Sequence, residues 1–110
     1  MHVTADGHCR SQTGSQWTEP AARGFCYGAI RLAEMTLIDG PRSRQVNGHI
    51  YGFAMLAESH VAVHLDADAS LAYLELFSCK DFDAEVFARL CINMFNLENL
   101  RLQVFDRGLH

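Results

Sequence analysis

A twofold alternation constrains this chain more than any other feature. Residues 60–65 run His, Val, Ala, Val, His, Leu, with the valines interleaved between histidines and an alanine. Residues 70–77 put Leu71, Tyr73 and Phe77 on one face and Ala72, Leu74 and Leu76 on the other. Side chains alternate across a strand with a period of two, so both runs are strands of a sheet with two different faces. The "DADA" between them, Asp66 to Ala69, is a turn, and a turn that short joins strands antiparallel.

The rest of the chain is predicted around this pair. Residues 1–6 form a strand, followed by a polar loop over 7–17. A helix opens at Thr18-Glu19-Pro20, a capping residue with proline in the first turn, and carries Phe25, Ile30, Leu32 and Ala33 to about residue 34. Residues 35–38 are a second strand, "DGPRSRQVNG" is rich in turn formers, and residues 49–57 are a third strand. A second helix opens at Asp83 with Val86, Phe87, Leu90, Cys91 and Met94 on one stripe. Residues 99–106 are the last strand, and Arg107-Gly108 closes the chain. The order β-α-β-β-β-β-α-β predicts an α+β fold: a two-layer α/β sandwich with a mostly antiparallel sheet and two helices on one face.

Composition narrows the class. The 110 residues suit one domain, 1–110, and a hydrophobic share of 49% with seven Phe and one Trp provides a core. A chain of this size gains from association that hides more apolar surface. A net charge of -4 and the absence of a Lys/Arg cluster with interleaved aromatics argue against a nucleic-acid partner. The start, "MHVTADGHCRSQ", has no apolar stretch behind a basic one, and no apolar run has membrane-spanning length. Cys9, Cys26, Cys79 and Cys91 form no C-x-x-C pair and no zinc-finger spacing. The expectation is a cytoplasmic protein with reduced thiols and no membrane partner.

The chemistry gathers at "LAESHVAVH". His60, His64 and Cys79 invite a metal, but residues four apart on a strand stand roughly 13 Å apart, so no shared metal is expected. Ser59 and His64 invite a hydrolytic pair. Their odd separation sends them to opposite faces of a straight strand, and no G-x-S-x-G elbow is present. By residue logic alone the segment reads as an edge strand with outward polar residues.

"LAESHVAVH" followed at a short distance by "LAYLELFSC" resembles the self-processing site of the prokaryotic S-adenosylmethionine decarboxylase family. That family carries A-E-S-H-x-x-x-H and then F-T-C-G; here the second segment is Phe77-Ser78-Cys79-Lys80. "HVTADGHC", "AIRLAEMTLID" and "LRLQVFDRG" are similar to its opening strand, first helix with the following strand, and final strand. The resemblance implies self-cleavage between Glu58 and Ser59. Ser59 Oγ attacks the Glu58 carbonyl to give an ester, elimination expels the Glu58 carboxylate, and hydrolysis leaves a pyruvoyl group derived from Ser59. In the family this group forms a Schiff base with the substrate amine and receives the electrons released with CO₂. The resemblance gives His64 a part in processing and makes Cys79 the proton donor to the product carbon, a role that suits a thiol protonated at neutral pH. Cys26 and Cys91, on apolar helix faces, read as core residues. The family also implies a homodimer of cleaved protomers, no metal, and a small-molecule substrate.

The pattern breaks after His64. The family continues with Thr, an aromatic, Pro and Glu, whereas this chain has Leu65, Asp66, Ala67 and Asp68. Asp68 keeps the acid that holds the ribose hydroxyls, and Asp66 replaces the aromatic. By ungapped counting Gln45 replaces a phenylalanine that stacks on adenine, and Tyr51 replaces a serine that aids processing. Loss of both aromatic faces weakens the case for a nucleoside, and two carboxylates at Asp66 and Asp68 favour a cationic substrate tail, although Asp66 fits a solvated turn as well. S-adenosylmethionine is the first substrate expected, in polyamine biosynthesis. Ornithine or arginine on the same scaffold is the alternative, and a non-cleaving regulatory relative is the third reading.

Overall fold

The computed structural model describes residues 1–10 and 17–106. Part of the expected 7–17 loop and the closing Arg107-Gly108 lie outside the described residues. In chain order the elements are β1 (His2–Cys9), α1 (Glu19–Leu32), β2 (Leu37–Val46), β3 (His49–Leu56), β4 (Ser59–Asp66), β5 (Leu71–Phe77), α2 (Ala84–Phe95) and β6 (Leu97–Phe105). The strands form one sheet in the order β2-β3-β4-β5-β1-β6, with every neighbouring pair antiparallel. Helix α1 lies against β2, β3 and β4, and α2 against β1 and β6; the helices also touch each other. The expected two-layer α+β sandwich is the observed fold.

Local chemistry explains the helix limits. Thr18 Oγ1 accepts from the amide of Ala21, and Pro20 occupies the first turn, where no intrahelical donor is lost. Asp83 caps α2 by accepting from the amides of Glu85 and Val86, and Asn96 ends it in the left-handed conformation at φ 55°. The stripe that α2 buries is Phe87, Cys91 and Phe95; Val86, expected on it, is 36% exposed. In α1 the buried residues are Ala22, Phe25, Cys26 and Ala29, with Ile30 and Leu32 at the margin of the core. Phe25 meets Phe87 and Phe95 at ring-centroid distances of 5.8 and 5.4 Å, and Trp17 donates its indole proton to the Phe95 carbonyl. Burial pushes the Cys26 thiol up to about 12 and raises that of Cys91 as well, as befits inert core cysteines.

The clearest correction concerns "DGPRSRQVNG". All but its last two residues belong to β2, and only Asn47-Gly48 turns the chain into β3. Turn-forming residues fit here because β2 is an edge strand. The ladder shifts register between Asp39 and Arg42, and the bulge holds Pro41, which has no amide proton to offer. Gly40, at φ 98°, is required there: a Cβ would stand 3.0 Å from the Phe53 carbonyl oxygen. Strand β1 also runs further than expected, to Cys9, because it is zipped between β5 and β6.

The two sheet faces differ sharply. Val3, Ala5, Ile50, Ala54, Leu56, Val61, Val63, Leu65, Leu74 and Leu76 face the helices and are buried. The opposite face carries Tyr51, Phe53, Met55, His60, His64, Tyr73 and Glu75, and no described helix covers it. None of the described helices is long and apolar enough to cross a membrane.

Candidate active site

Strands β3 and β4 meet in a tight hairpin in which Leu56 pairs with Ser59, so Ala57 and Glu58 form the turn. "LAESHVAVH" is therefore two strands with Glu58 at the junction and Ser59 opening the second. Glu58 sits at φ 58°, a left-handed conformation that costs a non-glycine residue about 1 kcal/mol or more. The next strand, β5, pairs with β4 so that Phe77 lies opposite His60. That register carries Ser78 and Cys79, just past the end of β5, alongside Ser59 and Glu58.

Cys79 contacts both sides of the Glu58–Ser59 peptide bond. Its amide donates to Ser59 Oγ at 3.2 Å, and its thiol donates to the Glu58 carbonyl oxygen at 2.8 Å. A donor on that oxygen draws electron density from the carbonyl carbon and stabilises negative charge that develops there. Ser59 and Ser78 are the buried polar residues among those described. Ser78 anchors the segment: its amide bonds the Met1 carbonyl, its hydroxyl reaches Met35 Sδ at 3.5 Å, and it accepts from the amide of Lys80. Lys80 Nζ donates to the Glu34 carbonyl at 2.8 Å, tying the Cys79 loop to the end of α1. Glu34, Met35, Thr36, Ala57, Glu58, Cys79 and Lys80 enclose a cavity of about 170 Å³ beside the peptide bond.

His64 is elsewhere. Five residues along β4 from Ser59 is about 16 Å of strand, and His64 stands on the open face. There its Nε2 lies 3.0 Å from Nδ1 of His49, Tyr51 stacks on its ring at 4.6 Å, and Tyr73 flanks it at 5.5 Å. Burial and the neighbouring His49 lower its pKa, against an opposing pull from Asp66. His60 bonds Glu75, which also holds His2, at 3.0 and 3.1 Å respectively. His60 and His64 thus engage separate partners on one face. Among the described residues no group of three or more His, Cys, Asp and Glu has the arrangement of a metal site.

Asp66 and Asp68 mark the far end of β4. Asp66 Oδ1 accepts from the amide of Ala69 within its own turn, and Asp68 packs on Gly48 beside His8, Ser70, Glu98 and Asn99. Seven residues separate Asp66 from Ser59, about 23 Å of strand. Gln45 pairs with Ile50 and shares its register on the helix side, so the open face receives Arg44 and Val46 instead. Tyr51 does reach the open face, against His64. The sequence signals drew no attention to His49, Lys80 or Glu34. Lys80 was legible only as a departure from the F-T-C-G pattern; Glu34 acts through its backbone, and His49 carries no motif.

The chain is similar to known proteins in sequence and in fold. Residues 3–108 match the family model described as S-adenosylmethionine decarboxylase. An S-adenosylmethionine decarboxylase proenzyme from Archaeoglobus fulgidus is 33% identical over 92 residues, 82% of this chain and 81% of that protein. The crystal structure of the adenosylmethionine decarboxylase from Aquifex aeolicus VF5 superposes with a TM-score of 0.78 at 23% identity, covering 99% of this chain and 90% of that one. With a family match across nearly its whole length and a relative at that identity, the chain belongs to the S-adenosylmethionine decarboxylase family, a family of carboxy-lyases.

Proposed function

We propose that this chain is a self-cleaving proenzyme that becomes a pyruvoyl-dependent S-adenosylmethionine decarboxylase and supplies the aminopropyl donor for polyamine synthesis. The observation that carries the reading is the double contact of Cys79 with Ser59 Oγ and the Glu58 carbonyl. Attack by Ser59 Oγ on the Glu58 carbon breaks the amide and forms an ester, leaving the Ser59 nitrogen as an amine. The Cys79 thiol faces the oxygen on which charge develops, and the left-handed strain at Glu58 is relieved when the bond is cut. A base then removes the Ser59 Cα proton, the Glu58 carboxylate leaves, and hydrolysis releases ammonia and leaves a ketone at the new chain start. Once formed, the pyruvoyl group supplies an electron sink for decarboxylation. Cys79 is beside it as a proton donor, and the 170 Å³ cavity gives its surroundings room.

His64 is the base in this reading, and at about 16 Å along the strand it acts on a second copy of the chain. Its open face supports a homodimer: Tyr51, Phe53, Met55 and Tyr73 are each more than 40% exposed there, next to one another. A two-fold axis near Ala62, midway between the two residues, sets the Ser59 end of one β4 across from the His64 end of its partner. Tyr51, Phe53 and Tyr73 also wall a hollow of about 430 Å³ on that face. These aromatic surfaces favour a nucleoside substrate, since base–aromatic stacking contributes about 1–3 kcal/mol. Asp66 and Asp68 favour the second reading, an amino acid with a cationic tail such as ornithine or arginine, although Asp66 is already used within its turn.

The test is intact mass under denaturing conditions, followed by release of labelled CO₂ from carboxyl-labelled S-adenosylmethionine, ornithine and arginine. Two fragments divided between Glu58 and Ser59 are expected, with S-adenosylmethionine the substrate turned over. Ser59→Ala is expected to remain one uncut chain; a wild-type chain that stays intact overturns the reading.

A further inference from the structure

We propose that His49 is a positioning residue for His64, accepting the Nε2 proton of His64 and so fixing the tautomer whose Nδ1 lone pair takes up a proton. The proposal rests on the assignment of His64 to processing. The His49 Nδ1 to His64 Nε2 distance is 3.0 Å, a hydrogen bond that one proton occupies. A neutral imidazole has one N–H and one lone pair, so the direction of this bond decides what His64 can do. If His64 donates, its Nδ1 is bare and basic. If His49 donates, His64 carries its proton on Nδ1 and has no lone pair left to act as a base. A base oriented through its far nitrogen by a third group is the arrangement that nucleophilic enzymes use repeatedly, here with an imidazole in place of a carboxylate.

The sheet register builds the arrangement. Tyr51 of β3 lies directly opposite His64, and His49, two residues before it, stands on the same face at the diagonal position. Tyr51 stacks nearly parallel to His64, at 17°, and also to His49, at 17°; Tyr73 closes the other side from β5. This packing limits rotation of both imidazoles, so the shared hydrogen bond sets the tautomer. The groups around His64 are His49 and Tyr51 from β3, Tyr73 from β5 and Asp66 on its own strand, with Glu75 of β5 and Asp6 of β1 lining the same hollow. Two positive imidazoles at 3.0 Å repel, so the pair carries at most one positive charge. Burial first and His49 second lower the His64 pKa, which keeps His64 neutral at pH 7.

The experiment has two readouts on the full chain. In the Ser59→Ala protein, imidazole ¹⁵N chemical shifts report tautomers whether or not the chain can cleave. His64 is expected as the Nε2–H tautomer, giving way to a mixture on His49→Ala; an Nδ1–H tautomer, or one indifferent to residue 49, overturns the proposal. In freshly synthesised proenzyme with Ser59 intact, His49→Ala and His49→Phe are expected to slow fragment formation about 10–100-fold, a usual loss for an orienting partner. Phe keeps a ring against Tyr51 but accepts no proton, which separates packing from hydrogen bonding. The acid limb of the pH–rate profile is expected to move to higher pH in both variants, because the neighbour that lowers the His64 pKa has gone. Wild-type rates with an unmoved acid limb in His49→Phe overturn the proposal. Failure of the wild-type chain to cleave overturns the functional reading instead, and the tautomer measurement still decides this one.

Discussion

Cys79 has two hydrogen-bonding groups on the Glu58–Ser59 peptide unit, and they have different consequences. The amide holds Ser59 Oγ through the backbone and survives any substitution except proline, whereas the thiol on the Glu58 carbonyl does not. Cys79→Ala is therefore expected to slow self-cleavage by about 10²-fold without preventing it, the usual loss for one donor to a developing oxyanion. Cys79→Ser, which restores a donor on a shorter bond, is expected to fall between. Gel-resolved fragment formation checks both; cleavage of Cys79→Ala at the wild-type rate refutes the role. The neighbouring Ser78 and Lys80 set the loop itself, through Met1, Met35 and the Glu34 carbonyl.

Among the elements, β5 is the one that organises charge on the open face. Its Glu75 lies between His2 of β1 and His60 of β4. Partial burial pushes the Glu75 carboxyl up, but hydrogen bonds from His2 and His60 and the charges of both rings outweigh it and hold the pKa below the usual range. A depressed folded-state pKa contributes stability above the unfolded value, and that contribution is lost as pH falls through the folded value. In a Ser59→Ala background, the melting-temperature gap between Glu75 and Glu75→Gln chains is expected to be open near pH 6. It should close as the pH drops below about 4, the ordinary glutamate range. A gap that persists unchanged at pH 3 refutes the linkage. This bridge joins the three central strands just behind Ser59, so it also steadies the start of β4.

For the whole molecule, the separation of Ser59 from His64 leads to a complementation test. Neither cleavage of Ser59→Ala nor efficient processing of His64→Ala is expected in the purified single variants. Co-expressed, they are expected to form mixed pairs in which the Ser59 of one chain meets the His64 of the other. The His64→Ala chain is then expected to be cut while the Ser59→Ala chain stays whole, which mass spectrometry distinguishes directly. An uncut His64→Ala chain in verified mixed pairs refutes action between copies. The exposed aromatic face supplies the apolar surface such a pair needs, and a chain of 110 residues has correspondingly much to gain from covering it.

Alternation determined the strands from His60 to Phe77 and the face each side chain takes, because a period of two leaves one pairing that buries Val61, Val63, Leu74 and Leu76 together. Capping residues likewise determined where both helices begin. The motif around Glu58, Ser59 and Cys79 was legible through its resemblance to a family pattern of residue types and spacing. Local signals failed at β2, where Gly40 and Pro41 read as a turn yet sit in an edge-strand bulge that only the sheet creates. They failed again at His49 and Lys80, whose roles come from cross-strand register and loop closure rather than from neighbours in sequence. Tertiary structure alone decided that Cys79 touches both sides of one peptide bond and that His64 and Asp66 stand far from it. The physical reason is that pairing brings adjacent strands to within hydrogen-bonding distance while an extended strand holds its own residues about 3.3 Å apart at every step.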